Sequence, residues 1–217
     1  MKKKKPNSKI ILTIFTLLML IGLILVCYVF YNHFKAQTSN SKQEHVSNQS
    51  LKNYANKHHA KTIGDPNAKI KIYAFQDFQC SDCKIFHTLV TEELEQDIDN
   101  GNVNITYLNH QVVNIASTKY AHMSNIIAEK NSTIEYMDFI DKAFNNQEVK
   151  NPKEIVKETS SISNQNELFN AYDKVKNNKL PNDGKKEFNV DGTPTVFVNG
   201  DKLKDYTDIV DKVKEQK

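Results

Sequence analysis

Arginine is absent from all 217 residues, acids are absent from residues 1–35, and cysteine occurs only three times. Each gap excludes something. A structural zinc site is closed by four ligands. Cys80 and Cys83 supply half of one, there is no second cysteine pair, and His87 four residues later does not complete the set, so no metal is expected. Positive charge is confined as well. The chain has 29 basic and 26 acidic side chains, net +3, but six of the lysines lie in residues 1–35, which leaves 23 against 26, net −3, for the rest. A mildly acidic body gives no electrostatic case for binding nucleic acid. No internal repeat or low-complexity block is present. Missing arginine, with abundant lysine, asparagine and isoleucine, fits an AT-rich bacterial genome, in which the Asn-x-Ser/Thr matches at Asn48, Asn104 and Asn131 are chance rather than glycan sites.

What is present begins with residues 10–31, "IILTIFTLLMLIGLILVCYVFY", an uncharged run of 22. At about 1.5 Å per residue a helix of this length crosses the hydrocarbon core. No small-x-small cleavage site follows, so the run reads as an uncleaved anchor. Cys27 reads as apolar filler, because Val26 is not the small residue that a lipidation signal wants before its cysteine. Lys2 to Lys5 and Lys9 precede the run and only Lys35 closely follows it, which places the N-terminus in the cytoplasm. The expected organisation is a basic cytoplasmic N-terminus (1–9), a single-pass anchor in the cell membrane (10–31), a polar tether (32–61) with His58 and His59 solvated at its end, and one extracytoplasmic domain (62–217).

In that domain Ile70, Ile72 and Phe75 mark a strand. Ile85, Phe86, Leu89, Val90, Leu94 and Ile98 recur at helical spacing from Ser81 to the stop at Asp99 to Gly101. Val103, Ile105 and Tyr107 alternate as a second strand. About residues 112–185 read as a helical insertion, with helix-start spacing at Ser132 and Glu135 and at Asn164 and Glu167. "TVFVNGDKL" reads as a strand, an Asn199-Gly200 hairpin and a second strand, before a short helix built on Ile209, Val210 and Val213.

Cys80 therefore sits where a strand gives way to a helix. Unsatisfied N–H groups and the helix dipole favour a thiolate there, and such thiols reach pKa values of roughly 3.5 to 7.5. Cys83 lies one turn deeper on the same side, so Cys80 is the attacking thiol and Cys83 the resolving one. Outside the cytoplasm a lone pair can persist oxidised. A plain staple is a weak alternative, since so small a loop constrains the unfolded chain little. His87 reads as a helix-surface or cleft-edge residue rather than a proton carrier.

"GDPNAKIKI" followed by "FQDFQCSDCKIFH", with "GTPTVFVNG" more than a hundred residues later, resembles the DsbA-like thiol:disulfide oxidoreductases over about residues 60 to 217. The resemblance implies an α/β, thioredoxin-like fold with an inserted helical subdomain, here preceded by a single transmembrane helix. It implies that Pro194 is cis, that Thr193 and Pro194 bind an extended substrate segment, and that no cofactor is needed. The activity implied is introduction of disulfides into exported cysteine-containing proteins, with reoxidation by a DsbB-like, quinone-linked membrane oxidase. A disulfide reductase, or a non-catalytic chaperone or assembly factor using the same groove, is the alternative. Two departures stand out. Ala74 occupies the position, six before the first cysteine, where the family commonly carries a buried acid, leaving proton handling to water, Asp77 or another group. Between the cysteines are Ser81 and Asp82: the acid should raise the Cys80 pKa while Lys84 opposes it, giving a less extreme oxidant.

Overall fold

The computed structural model describes residues 17–29 and 44–217, which fall in two units, residues 1–42 and 43–217. In the first, residues 17–29 form a helix, α1, with its leucine, isoleucine and valine side chains exposed. Among the described residues no helix is long and apolar enough to cross a membrane. The rest of the 10–31 run lies outside them.

The second unit is built on five strands: β1 (Thr62–Ile63), β2 (Ile70–Gln76), β3 (Val103–Asn109), β4 (Thr195–Val198) and β5 (Asp201–Lys202), ordered β1-β3-β2-β4-β5. Only β2 and β3 are parallel. They are joined by helices α3 (Ser81–Glu93) and α4 (Glu95–Asp99), the strand, helix, strand unit expected from the sequence. Side-chain alternation gives the sheet two buried faces. Ile70, Ile72 and Ala74 of β2, with Val103, Ile105 and Tyr107 of β3, meet α3 and the helical insertion in the larger core. Tyr73, Phe75, Leu108 and Phe197 face the other way, against Leu51, Tyr54 and Phe188.

Helix α3 turns Cys83, Phe86, His87 and Val90 inward. Ile85, expected on the packed face, is 49% exposed, because the sheet is met by the adjacent Phe86 stripe. The insertion comprises α5 (Ile115–Lys130), α6 (Thr133–Asn145), α7 (Pro152–Glu158), α8 (Gln165–Val175) and α9 (Gly184–Phe188). Its Ser132–Glu135 capping box forms in full, whereas Asn164 starts α8 without a side-chain cap. Asn199 and Gly200 have φ values of 49° and 90°, the two positive angles a tight hairpin requires. The chain ends in a 3₁₀ turn and α10 (Ile209–Gln216).

The tether expected over residues 32–61 needs correction in its later part. Asn48–Lys57 form helix α2, which buries Leu51, Tyr54 and Ala55. Ser47 caps it by accepting the Ser50 N–H. Three apolar contacts among polar neighbours suffice because they fall on one face and meet Phe75 and Phe188. His58 is not solvated either: it stacks on Tyr54 at 4.0 Å and lies 3.1 Å from Asp183. Just before α2, His45 bridges to Asp201, the Val46 N–H bonds Gly200 O, and the Lys202 N–H bonds Glu44 O, along the outer side of β5.

Candidate functional site

Cys80 is the extended N-cap residue of α3, at the carboxyl end of β2, and has no side-chain capping bond that would occupy its sulfur. The Cys80 Sγ donates to the Thr193 carbonyl at 3.1 Å. The Thr193–Pro194 bond is cis, as the resemblance implied. Thr193, Pro194 and Cys80 are all partly exposed, and a cleft of about 330 Å³ opens beside Pro194, lined also by Thr195, Leu203 and Tyr206. One helical turn on, Cys83 is sealed in the core, and its sulfur accepts the Asp77 N–H at 3.4 Å. Both thiols are free.

These surroundings separate the two sulfurs. A hydrogen bond from the Cys83 thiol is the main influence on Cys80. Against the opposing effect of burial, that bond, the Thr193 side chain and the N–H groups of Cys83 and Asp82 bring the Cys80 thiol from its ordinary 9.0 down to about 6. Burial, reinforced by the neighbouring Cys80, pushes the Cys83 thiol far up. One sulfur is thus partly exposed and ionised near neutrality, the other buried and protonated.

Ser81 and Asp82 are exposed on the first turn, and the Lys84 N–H bonds the Cys80 carbonyl at 3.3 Å. Asp82 touches the chemistry through its backbone, whose N–H lowers the Cys80 pKa. Asp77 is buried and structural: its carboxylate accepts the N–H groups of Gln79, Val112 and Val113 at 2.8 to 2.9 Å. His87 is not at the surface or a cleft edge. It is 5% exposed, with Nδ1 3.3 Å from the Tyr107 hydroxyl and Nε2 2.5 Å from Asp141 Oδ1. It is drawn inward by these two partners, 20 and 54 residues away.

Sequence reasoning missed Gln147, in the turn after α6. Its side-chain amide donates to both Phe78 O and Cys80 O at 2.9 Å. Phe78 itself is planted among Tyr120, Phe139 and Phe144. The insertion therefore holds the cysteine loop from one side while the Thr193–Pro194 segment faces it from the other. A glutamine in a polar turn carries no local signal of this. Among the described residues no cluster of histidine, cysteine and acidic side chains could hold a metal.

A family model described as thioredoxin matches residues 55–214. Disulfide bond formation protein D of Bacillus subtilis (strain 168) is 23% identical over 164 residues, 70% of this chain and 73% of that protein. Oxidised BdbD from Bacillus subtilis superposes with a TM-score of 0.55 at 21% identity, covering 73% of this chain and 92% of the other. Reduced DsbA from Mycobacterium tuberculosis does so with a TM-score of 0.57 at 19% identity, covering 72% and 91%. Likeness to the two solved structures at these identities speaks for the fold.

Proposed function

We propose, from the premise that this chain belongs to the thioredoxin family and is a DsbA-like thiol:disulfide oxidoreductase, that it works outside the cytoplasm as a disulfide donor. The carrying observation is the asymmetry of the pair: Cys80 is accessible and depressed to about 6, while Cys83 is sealed and pushed up. Stabilising the Cys80 thiolate favours the reduced pair, so the oxidised pair tends to pass its disulfide on. A client thiolate attacks Cys80 Sγ, the Cys80–Cys83 bond breaks, and a mixed disulfide forms. A second client thiolate then attacks the client sulfur, releasing Cys80 as thiolate. The client is oxidised and the pair reduced.

Thr193 and Pro194 hold the client segment in extended form beside Cys80, a mode that needs little sequence specificity and suits many exported cysteine-containing clients. The 22-residue apolar run at 10–31 and the lysines before it support a single-pass anchor in the cell membrane with the domain outside. A DsbB-like, quinone-linked membrane oxidase is the proposed source of oxidising equivalents, since the reduced pair must be reoxidised before each further donation. Titration of the thiols against glutathione buffers, read by alkylation mass shift, tests the direction. A potential near ~−120 to −180 mV supports donation, and one near ~−270 mV makes the protein a reductase. Replacing both cysteines without any cellular defect would instead leave a binding role.

A further inference from the structure

Every exchange at Cys80 obliges Cys83 to gain or lose a proton, yet Cys83 has no exposed surface. When a client thiolate attacks Cys80, the electron pair of the broken bond leaves on Cys83 Sγ. Burial makes a bare thiolate there costly, so a proton must follow. The adjacent Asp77 offers only its N–H to the sulfur, while its carboxylate is turned to the backbone N–H groups of Gln79, Val112 and Val113.

The next ionisable group on that face of α3 is His87, one turn beyond Cys83. From it a string of contacts runs in both directions. Outward, Nε2 meets Asp141, whose side chain is 47% exposed. Inward, Nδ1 meets the Tyr107 hydroxyl, wholly buried in the core cluster that contains Cys83. Tyr107 is the register partner of Ala74, so a single methyl group occupies the neighbouring position on that face of β2. Two residues further along the same face, Gln76 is 1% exposed with neither amide atom partnered, and its own register partner Asn109 has a buried, unpartnered Oδ1. Buried waters in proteins typically bond polar groups that are otherwise unpartnered, as these amide atoms are. Phe144 stacks on His87 from α6 at 5.1 Å, and Tyr136 is the other ionisable group near Tyr107.

We propose that Asp141, His87 and Tyr107 form a proton relay that serves Cys83, completed by a water held at Gln76. In the donating direction His87 gives its Nδ1 proton to Tyr107 oxygen, the Tyr107 hydroxyl proton passes to the water, and a water proton passes to Cys83 Sγ. Solvent restores the proton at His87 along Asp141. In the opposite direction the relay removes the Cys83 proton. None of the three side chains touches the sulfur, so they are positioning residues that act through the water.

This inference rests on thiol-disulfide exchange at Cys80, and the test separates the two. The full chain, oxidised and in detergent micelles, is mixed rapidly with a thiol peptide, and opening of the disulfide is followed as a function of pH in light and in heavy water. His87→Gln and Tyr107→Phe should each slow opening by about tenfold or more, consistent with loss of proton transfer. They should also remove the solvent deuterium isotope effect of that step and change its pH profile, and the double variant should be no slower than either single one. Asp141→Asn should retain part of the rate. A merely structural role would lower stability without moving the isotope effect or the pH profile. If His87→Gln does not fold, Tyr107→Phe, which removes one oxygen, decides. Wild-type exchange with an unchanged rate and isotope effect in the folded variants overturns the relay alone. Absence of exchange in the wild-type chain overturns the functional reading and the relay together.

Discussion

The potential of the Cys80–Cys83 couple should fall with pH along two slopes that meet near pH 6. Below that point both sulfurs of the reduced pair carry protons. Reduction then consumes two protons with two electrons, and the potential drops by about 59 mV per pH unit, twice the ~30 mV that a tenfold change is worth for a two-electron couple. Above it Cys80 stays as thiolate, because the Cys83 thiol, the Thr193 side chain and two N–H groups hold its pKa at about 6. Only Cys83 then takes a proton, since burial keeps its thiol protonated far into the alkaline range, and the slope halves to about 30 mV per unit. Between pH 6 and 8 the couple should lose about 60 mV rather than about 120 mV. At pH 7 the same depressed pKa favours the reduced pair by about tenfold over an ordinary thiol, which makes the couple about 30 mV more oxidising. The assay is equilibration in dithiol/disulfide buffers from acid to mildly alkaline pH, with acid quenching and alkylation. A single slope of about 59 mV per unit through pH 8 would refute the reasoning, because Cys80 would then be an ordinary thiol.

Four further outcomes follow from the same geometry. Asp82→Asn should lower the Cys80 pKa by removing an anion from the first turn of α3, read from the thiolate ultraviolet absorbance; an unchanged titration would dismiss any influence of that carboxylate. In the reduced protein the depressed Cys80 contributes stability that is complete above 9.0 and lost as pH falls through about 6, so reduced and oxidised forms should diverge in thermal stability across that window. Gln147→Ala breaks two bonds to the cysteine loop and should cost about 1–2 kcal/mol in denaturant unfolding. Leu51→Ala, in the segment whose sequence reads as a tether, should cost about 2–5 kcal/mol, whereas a true tether would leave unfolding unchanged.

The strand, helix, strand unit was legible because strict alternation in Val103 to Tyr107 and the spacing of Phe86 and Val90 are local signals that the sheet merely ratifies. The cysteines and the Thr193–Pro194 segment were legible as short motifs, and their confrontation across 113 residues followed only from the resemblance. Helix α2 was not legible. Asparagine, lysine and glutamine dominate it, and the reason for Leu51 and Tyr54 to be buried lies in Phe75 and Phe188, far along the chain. His87 was misplaced on the same ground: a histidine beside a redox motif looks like a surface group until Tyr107 and Asp141 arrive from β3 and α6. Residues whose partners are local announced themselves, and residues whose partners are remote did not.

The sheet's margins bear on how such a protein survives its own work. Unfolded chains seek backbone to pair with, and an open sheet edge is a template for them. Here β1 presents only two residues at one margin, and at the other β5 is already accompanied by residues 44–46. A client that lingers beside Cys80 therefore finds little ladder to extend, and the proposed handling of sticky, half-made proteins need not seed accretion on the handler. The few residues that lead into α2 act, in this sense, as a selvedge that keeps the fabric from being added to.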